Sequence, residues 1–298
     1  MAREEITVGI IGLGLMGGSS ALKLKQQGFA NRILGYDINS GHEEEALNLG
    51  IIDEIAGIDC ICNEASLIVL AIPVNKALLV LPEVMKTLNP NAVVVDLGST
   101  KQKIGELANS FPNSQQFVAC HPLAGTENTG PSAAFPELFQ DKVNIICDQE
   151  TSSPNAIEMA INMTHALGMR TKFMNSKEHD RHIAYVSHLS HISSFMLGQT
   201  VLEVEKDEEN IFDMAGSGFE STVRLAKSSP DMWAPIFTEN ADNILKVLDT
   251  YIKNLNSFRD LIKDGKESEL NKSMTETNVI RKVLDRKLTP LTQPVVGR

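Results

Sequence analysis

The six residues Gly12-Leu13-Gly14-Leu15-Met16-Gly17 constrain this chain more than any other feature. Their G-x-G-x-x-G spacing means little alone. Here it directly follows an apolar run at residues 6–11 and opens a helical stretch, the strand–turn–helix setting of a dinucleotide-binding βαβ unit. In that setting Gly12 permits the tight turn, Gly14 lets a pyrophosphate approach the backbone, and Gly17 lets helix and strand pack closely. The intervening Leu13, Leu15 and Met16 complete the loop. The pyrophosphate then lies at the helix N-terminus, where free N–H groups and the dipole favour an anion. Asp37 ends the next strand, about twenty residues past Gly17, placed to accept hydrogen bonds from the adenosine ribose hydroxyls. Its carboxylate repels a 2′-phosphate, and no Arg follows in Ile38-Asn39-Ser40-Gly41-His42, which favours NAD over NADP. A glycine-rich turn of the same kind holding another group, such as a flavin, stays open at this point.

Further apolar runs at 33–36, 67–72, 92–97, 117–120, 143–147 and 171–174 alternate with helical stretches such as 17–28, 75–88 and 154–167. Several lack polar alternation, as strands of a parallel sheet covered on both faces do. The spacing predicts an α/β Rossmann domain, doubly wound around a mainly parallel sheet, over residues 1–174. Past residue 175 the strand signal stops, and helices are expected at about 178–204, 221–227, 231–263 and 267–286, making an all-α second domain over 175–298. Ser229-Pro230-Asp231 offers an N-cap with Pro at the first helical position. Ile244, Leu248, Tyr251, Ile252, Leu255, Phe258 and Ile262 recur at helical spacing, a stripe for a core or a dimer interface. The acidic run at 203–209 reads as a solvated helix end and loop, and the last dozen residues as a loose tail.

With 298 residues, 42% of them hydrophobic, the chain can fill two ordinary cores. A net charge of −11 argues against nucleic acid or an anionic membrane as partner. It also means that an anionic substrate must be met by a few local Arg or Lys residues. No apolar run approaches the ~20 residues of a membrane span, and Met1-Ala2-Arg3-Glu4-Glu5 lacks the apolar stretch of a secretion signal. Cys60, Cys62, Cys120 and Cys147 read as free buried thiols, which points to the cytoplasm.

Ligands of open α/β sheets bind outside the carboxyl ends of the strands. Three segments are expected there: Ile72-Pro73 after one strand, under a cofactor ribose; Asp96-Leu97-Gly98-Ser99-Thr100-Lys101 after the next; and His121-Pro122-Leu123-Ala124-Gly125-Thr126-Glu127 after the strand ending at Cys120. A His facing a nicotinamide can hydrogen-bond an alcohol under oxidation and accept its proton near neutral pH, so His121 is the candidate base. Ser99 either bonds the same hydroxyl or the nicotinamide ribose, or caps the helix that starts near Thr100. Lys101 reads as a solvated charge in that helix.

Four His fall within thirteen residues, in His179-Asp180-Arg181-His182 and Ser187-His188-Leu189-Ser190-His191. At ~100° per residue Asp180 and His191 lie about 20° apart, while His179 and His182 point elsewhere. That is an Asp–His face rather than a metal cage, and no metal is expected. Arg224 either binds a substrate carboxylate through its guanidinium fork or makes a surface ion pair.

Taken together these motifs resemble the prephenate dehydrogenases, including the closely similar arogenate dehydrogenases, over about residues 5–285. The glycine loop is widely shared. The combination of His121-Pro122-Leu123-Ala124-Gly125-Thr126-Glu127, Ser187-His188-Leu189-Ser190-His191 and Gly218-Phe219 through Arg224 to Trp233 is specific. The resemblance implies oxidative decarboxylation of prephenate to 4-hydroxyphenylpyruvate with NAD, on the route to tyrosine. It implies that His121 takes the hydrogen bond of the ring hydroxyl, that Ser99 supports it, and that Arg224 holds a carboxylate. His191, Thr126 and Glu127 would surround the pocket, with Asp180 and Trp233 gating or shaping it, and the helical domain would form a homodimer. Glu220-Ser221 stand where many members carry Arg-Asp, and Ser190 where many carry Pro, so arogenate is the alternative substrate. No fused chorismate mutase or added regulatory domain is expected. A β-hydroxyacid dehydrogenase would want a catalytic Lys on the first helix of the second domain, where Lys177 instead precedes the His-rich face. A catalytically silent NAD-binding protein would need none of His121, Ser99, Asp180, His191 and Arg224.

Overall fold

The structure is a computed structural model that describes residues 5–205 and 214–286. The expected tail, and the acidic run beyond residue 205, lie outside the described residues. Eight strands form one sheet: β1 (Thr7–Ile11), β2 (Arg32–Tyr36), β3 (Glu54–Ile55), β4 (Leu67–Leu70), β5 (Val93–Asp96), β6 (Phe117–Pro122), β7 (Val143–Cys147) and β8 (Arg170–Met174). Their order is β3-β2-β1-β4-β5-β6-β7-β8, parallel throughout except for the antiparallel pair β6–β7. The unalternating strands β4 and β5 are buried along their whole length, as their all-apolar runs require.

Helices cover both faces. On one, α1 (Leu15–Gln26) contributes Leu24 to a core shared with Ala156, Ala160 and Met163. The other face buries Ile61 and Cys62 of α3 (Ile58–Glu64), Ala77, Leu81 and Val84 of α4 (Val74–Thr87), and Ile104 of α5 (Gln102–Ala108). The helix that supplies the first core's alanines, α6 (Pro154–Ala166), starts at Ser153, whose hydroxyl accepts from Ala156 N at 3.2 Å. Three elements are not among the sequence expectations: α2 (Ser40–Asn48), α3 and the two-residue strand β3. Cys62, Cys120 and Cys147 are buried free thiols; Cys60 is half-buried and donates to Glu64 at 3.2 Å.

After Met174 the chain is helical. The stretch expected as one helix at 178–204 is α7 (Ser176–Ile183), a π-helical segment Ala184–His188, and α8 (Leu189–Glu205). Next come α9 (Ser217–Val223), a 3-10 turn Arg224–Lys227, and α10 (Pro230–Glu239). Ser229 is the N-cap of α10 and Pro230 its first residue, as read, though no side-chain cap bond forms. The expected helix over 231–263 is interrupted at Asn240, which leaves helical geometry and donates its side-chain amide to Asp180 O at 2.7 Å. Then follow α11 (Ala241–Lys263), α12 (Glu267–Thr277) and α13 (Ile280–Arg286). No helix among the described residues is long and apolar enough to cross a membrane.

Contacts divide the chain into two compact units, Met1–Ile244 and Leu245–Arg298. In the second, Leu245, Ile252, Leu255, Phe258 and Ile262 leave α11 with an exposed apolar stripe.

Candidate active site

The glycine loop is built for an anion at the N-terminus of α1. Gly12 has φ +100°, and a Cβ there would stand 2.5 Å from Ala71 O and 2.6 Å from Ile72 Cγ2, so only glycine fits beside the β4 exit loop. A Cβ at Gly17 would drive into Gly12 O, whereas one at Gly14 would meet nothing within 4 Å. The surface over Gly14 is therefore open, and α1 begins with neither a side-chain cap nor an acidic residue in its first turn. Its free N–H groups remain for a diphosphate. The side chains of Leu13 and Leu15 are core, so these two serve the loop through the main chain, while Met16 is half-buried. Asp37 is already oriented: Oδ2 accepts from Leu13 N at 2.9 Å and Oδ1 from Asn39 N at 3.0 Å, with His42 Nδ1 3.5 Å from Oδ1. A second carboxylate, Glu43, accepts from Asp37 N at 3.1 Å and adds to the repulsion of a 2′-phosphate. These residues fit NAD.

Strand β6 runs two residues further than expected, so His121 lies within it, opposite Ile145 of β7, and is buried. His121 Nδ1 is 2.8 Å from His179 Nε2, and His179 Nδ1 is 2.8 Å from Asp180 Oδ1. Asp180 in turn accepts from Lys101 N at 2.8 Å and Gln102 N at 2.9 Å. Burial, and then the nearby His179, Lys101 and His188, hold His121 well below the usual imidazole range. At neutral pH it is a neutral acceptor.

Lys101 is not a solvated charge. It is fully buried, its ammonium paired with Asp96 and donating to Cys120 O at 2.6 Å. A lysine can lie there only because both groups meet its charge. The pair therefore ties the β5 exit to the strand residue before His121. Since Asp180 takes the first amides of α5, Ser99 is spared the capping role and stands half-buried between Asp96 and Lys101.

His191 stacks on Trp233, with ring centroids 3.5 Å apart and planes at 24°. Its Nδ1 donates to Ser187 O at 3.0 Å, which leaves Nε2 as an acceptor. Burial above all, against the raising effect of the Ser187 bond, and then the Arg224 charge lower its pKa. Trp233 is buried with Ile236 against Val74, the residue after Ile72-Pro73. Ser194, one turn past His191, accepts from Ala226 N at 3.0 Å and so anchors the 3-10 turn that presents Arg224. Arg224 itself is exposed. His188 is buried, donates nothing from Nε2, and is pushed by burial to about 4.

The model of the prephenate dehydrogenase nucleotide-binding domain matches residues 20–173, and that of the prephenate dehydrogenase dimerization domain matches 175–276. The chain belongs to the prephenate dehydrogenase family. It is 32% identical over 270 residues to the prephenate dehydrogenase of Bacillus subtilis, covering 87% of this chain and 71% of that one. The cyclohexadienyl dehydrogenase of Zymomonas mobilis is 33% identical over 258 residues, 86% of this chain and 88% of its own. Among solved structures, A. aeolicus prephenate dehydrogenase in complex with hydroxyphenyl propionate and NAD+ superposes with a TM-score of 0.84 at 31% identity, covering 95% of this chain and all of that one.

Besides the cluster of His121 and Asp180 and the neighbouring Ser99, the expected residues of this family member fall into three groups. Gly12, Gly14, Gly17, Asp37 and Ile72 meet around the α1 N-terminus. His191, Trp233 and Arg224 gather where α8 and α10 face each other. Thr126 and Glu127 are exposed on the loop after β6, where Thr126 Oγ1 accepts from Asn128 N at 3.2 Å. Asp180 departs from the helical arithmetic that put it beside His191: it turns to the α5 amides instead, because the π-helical segment between them breaks the 100° step. The same arithmetic sent His179 elsewhere, yet it contacts His121 directly. The run Ser176–His182 is polar throughout, so no local pattern marks out His179 and Asp180.

Proposed function

We propose that this chain oxidatively decarboxylates prephenate to 4-hydroxyphenylpyruvate with NAD, in the cytoplasm, as a step of tyrosine biosynthesis. The observation that carries the reading is His121: a buried, neutral imidazole at the carboxyl edge of a nucleotide-binding sheet. Bound NAD supplies the hydride acceptor. Loss of hydride from C4 and of CO2 from C1 makes the ring aromatic, so most of the driving force is in the substrate. The hydroxyl proton stays with the phenol product, so no proton is released overall. His121 has only to accept that hydrogen bond while positive charge builds on the oxygen, with Ser99 supporting it. Arg224 binds a carboxylate of the dianion, and His191, with Trp233 behind it, lines the pocket. Thr126 and Glu127 close it from the β6 loop.

Division of labour follows the chain: residues 1–174 hold the cofactor, and residues 175–298 supply substrate contacts and the dimer. The free thiols fit a reducing compartment. The exposed stripe on α11 suits a second copy of the chain. Replacing both Ile252 and Phe258 by Glu is expected to convert the dimer to monomer in sedimentation; an unchanged mass would move the interface elsewhere.

The experiment that tests the function is NADH production by the purified protein with prephenate and, in parallel, arogenate. Turnover of prephenate is expected, and turnover of neither would end the enzyme reading. Glu220, one helical turn before Arg224, is the feature that could favour the ammonium of arogenate, so preferential use of arogenate would assign it that role.

A further inference from the structure

Hydrogen-bond chemistry allows few ways to write the chain His121–His179–Asp180. Asp180 accepts two backbone amides through both oxygens, and Oδ1 also faces His179 Nδ1 at 2.8 Å. Two amides and an imidazole around one carboxyl group call for the carboxylate, an acceptor only. His179 Nδ1 must therefore carry a proton. If His179 is neutral, its Nε2 is bare, and the contact at 2.8 Å to His121 Nδ1 requires the proton to sit on His121 Nδ1. The remaining ring nitrogen of His121, Nε2, is then a lone pair. All three residues are buried, so water does not supply competing partners.

We propose that His179 and Asp180 are positioning residues that hold His121 in its Nδ1–H tautomer, so that Nε2 meets the substrate hydroxyl as an acceptor. An unconstrained histidine side chain in water prefers the proton on Nε2, which would set a donor against the hydroxyl's own hydrogen. The pair also turns the ring, because a bond from Nδ1 fixes the direction of Nε2. Asp180 does a second thing with the same carboxylate: its amide bonds hold the start of α5, and with it the segment that carries Ser99. One buried anion thus registers the two strand-end segments against each other. Asn240 fixes that anion's own backbone by donating to Asp180 O at 2.7 Å. The groups that face this chain from neighbouring elements are Lys101, held by Asp96, and His188, whose Nδ1 lies 3.2 Å from Asn240 Nδ2.

The inference rests on His121 being the hydroxyl acceptor, as proposed above, and its test separates the two. Ring 15N NMR of histidine-labelled protein, with His121 assigned by subtraction of the His121→Asn spectrum, reports which nitrogen bears the proton without any turnover. A proton on His121 Nδ1 at neutral pH is expected. A proton on Nε2 overturns the proposal even if prephenate is turned over, and a doubly protonated His179 does so too, since it would force that tautomer on its neighbour. The kinetic arm uses His179→Phe, which removes the acceptor, and His179→Gln, whose amide oxygen can stand where Nε2 stood. Loss of a tautomer-fixing partner lowers turnover by ~10²–10⁴ where that tautomer is required. His179→Phe is expected to show a loss in that range in kcat with little change in NAD affinity, and His179→Gln to recover most of it. Equal kcat in the Phe variant and the wild type, or equal losses in Phe and Gln, overturn the proposal. If the Phe variant does not fold, the wild-type ring spectrum still decides.

Discussion

Replacing His121 with Asn is expected to lower kcat by ~10²–10⁴ while NAD affinity stays nearly unchanged. Asn keeps a polar group in the buried site but cannot place an unprotonated ring nitrogen against the substrate hydroxyl. The loss falls on kcat because the hydrogen bond strengthens as hydride leaves and charge appears on the oxygen, so it is made mainly in the transition state. NAD affinity should be spared because the proposed cofactor contacts, in the glycine loop and at Asp37, lie on other strands. The pH dependence follows from the same group. Burial holds His121 well below the usual imidazole range, and the proposed role requires its neutral form. Activity should therefore stay level from neutral pH into mild acid and fall only as acid protonates the ring. Near-normal kcat in His121→Asn would remove His121 from the chemistry.

Arg224→Ala is expected to raise KM for prephenate by ~10–100-fold, with a much smaller change in kcat, because a charge-assisted hydrogen bond is worth ~1.5–3 kcal/mol. The substrate is an anion and the protein carries a net charge of −11, so attraction has to be local. Lys101, the cation nearest His121 in the strand-end motifs, is consumed by Asp96 and Cys120 O in the core. Arg224 remains exposed, presented by a turn that Ser194 anchors beside His191. In the proposed role it grips a carboxylate both before and during reaction, so KM rather than kcat should carry the loss. An unchanged KM would place the carboxylate elsewhere.

The nucleotide half was legible from sequence because its constraints are local. Gly12 must adopt φ +100° and Gly17 must lack a Cβ, and both demands are written within six residues. Asp37 likewise follows from strand length. The chemistry around His121 was half legible. Its position at a strand end could be read, but its partners come from far along the chain: His179 is 58 residues away, and Asp180 is 79 residues from the Lys101 amide it accepts. No local period encodes such pairs. A π-helical segment then shifts the register of every face beyond it, so the regular 100° step that joins Asp180 to His191 does not hold over those eleven residues. Lys101 was misread for a related reason: a lysine in a first helical turn is ordinarily solvated, and only the sheet brings Asp96 and Cys120 O to it. The interruption at Asn240 shows the same effect, since the break is stabilised by a bond to Asp180 O rather than by a Gly or Pro in the sequence.

Prephenate carrying deuterium at C4, turned over with NAD, follows the hydride itself. The deuterium is expected to leave C4 and to be recovered in the reduced cofactor, with 4-hydroxyphenylpyruvate and CO2 formed in equal amount to it. Reduced cofactor without the label, or product without reduced cofactor, would contradict hydride transfer from the carbon whose hydroxyl His121 is placed to hold.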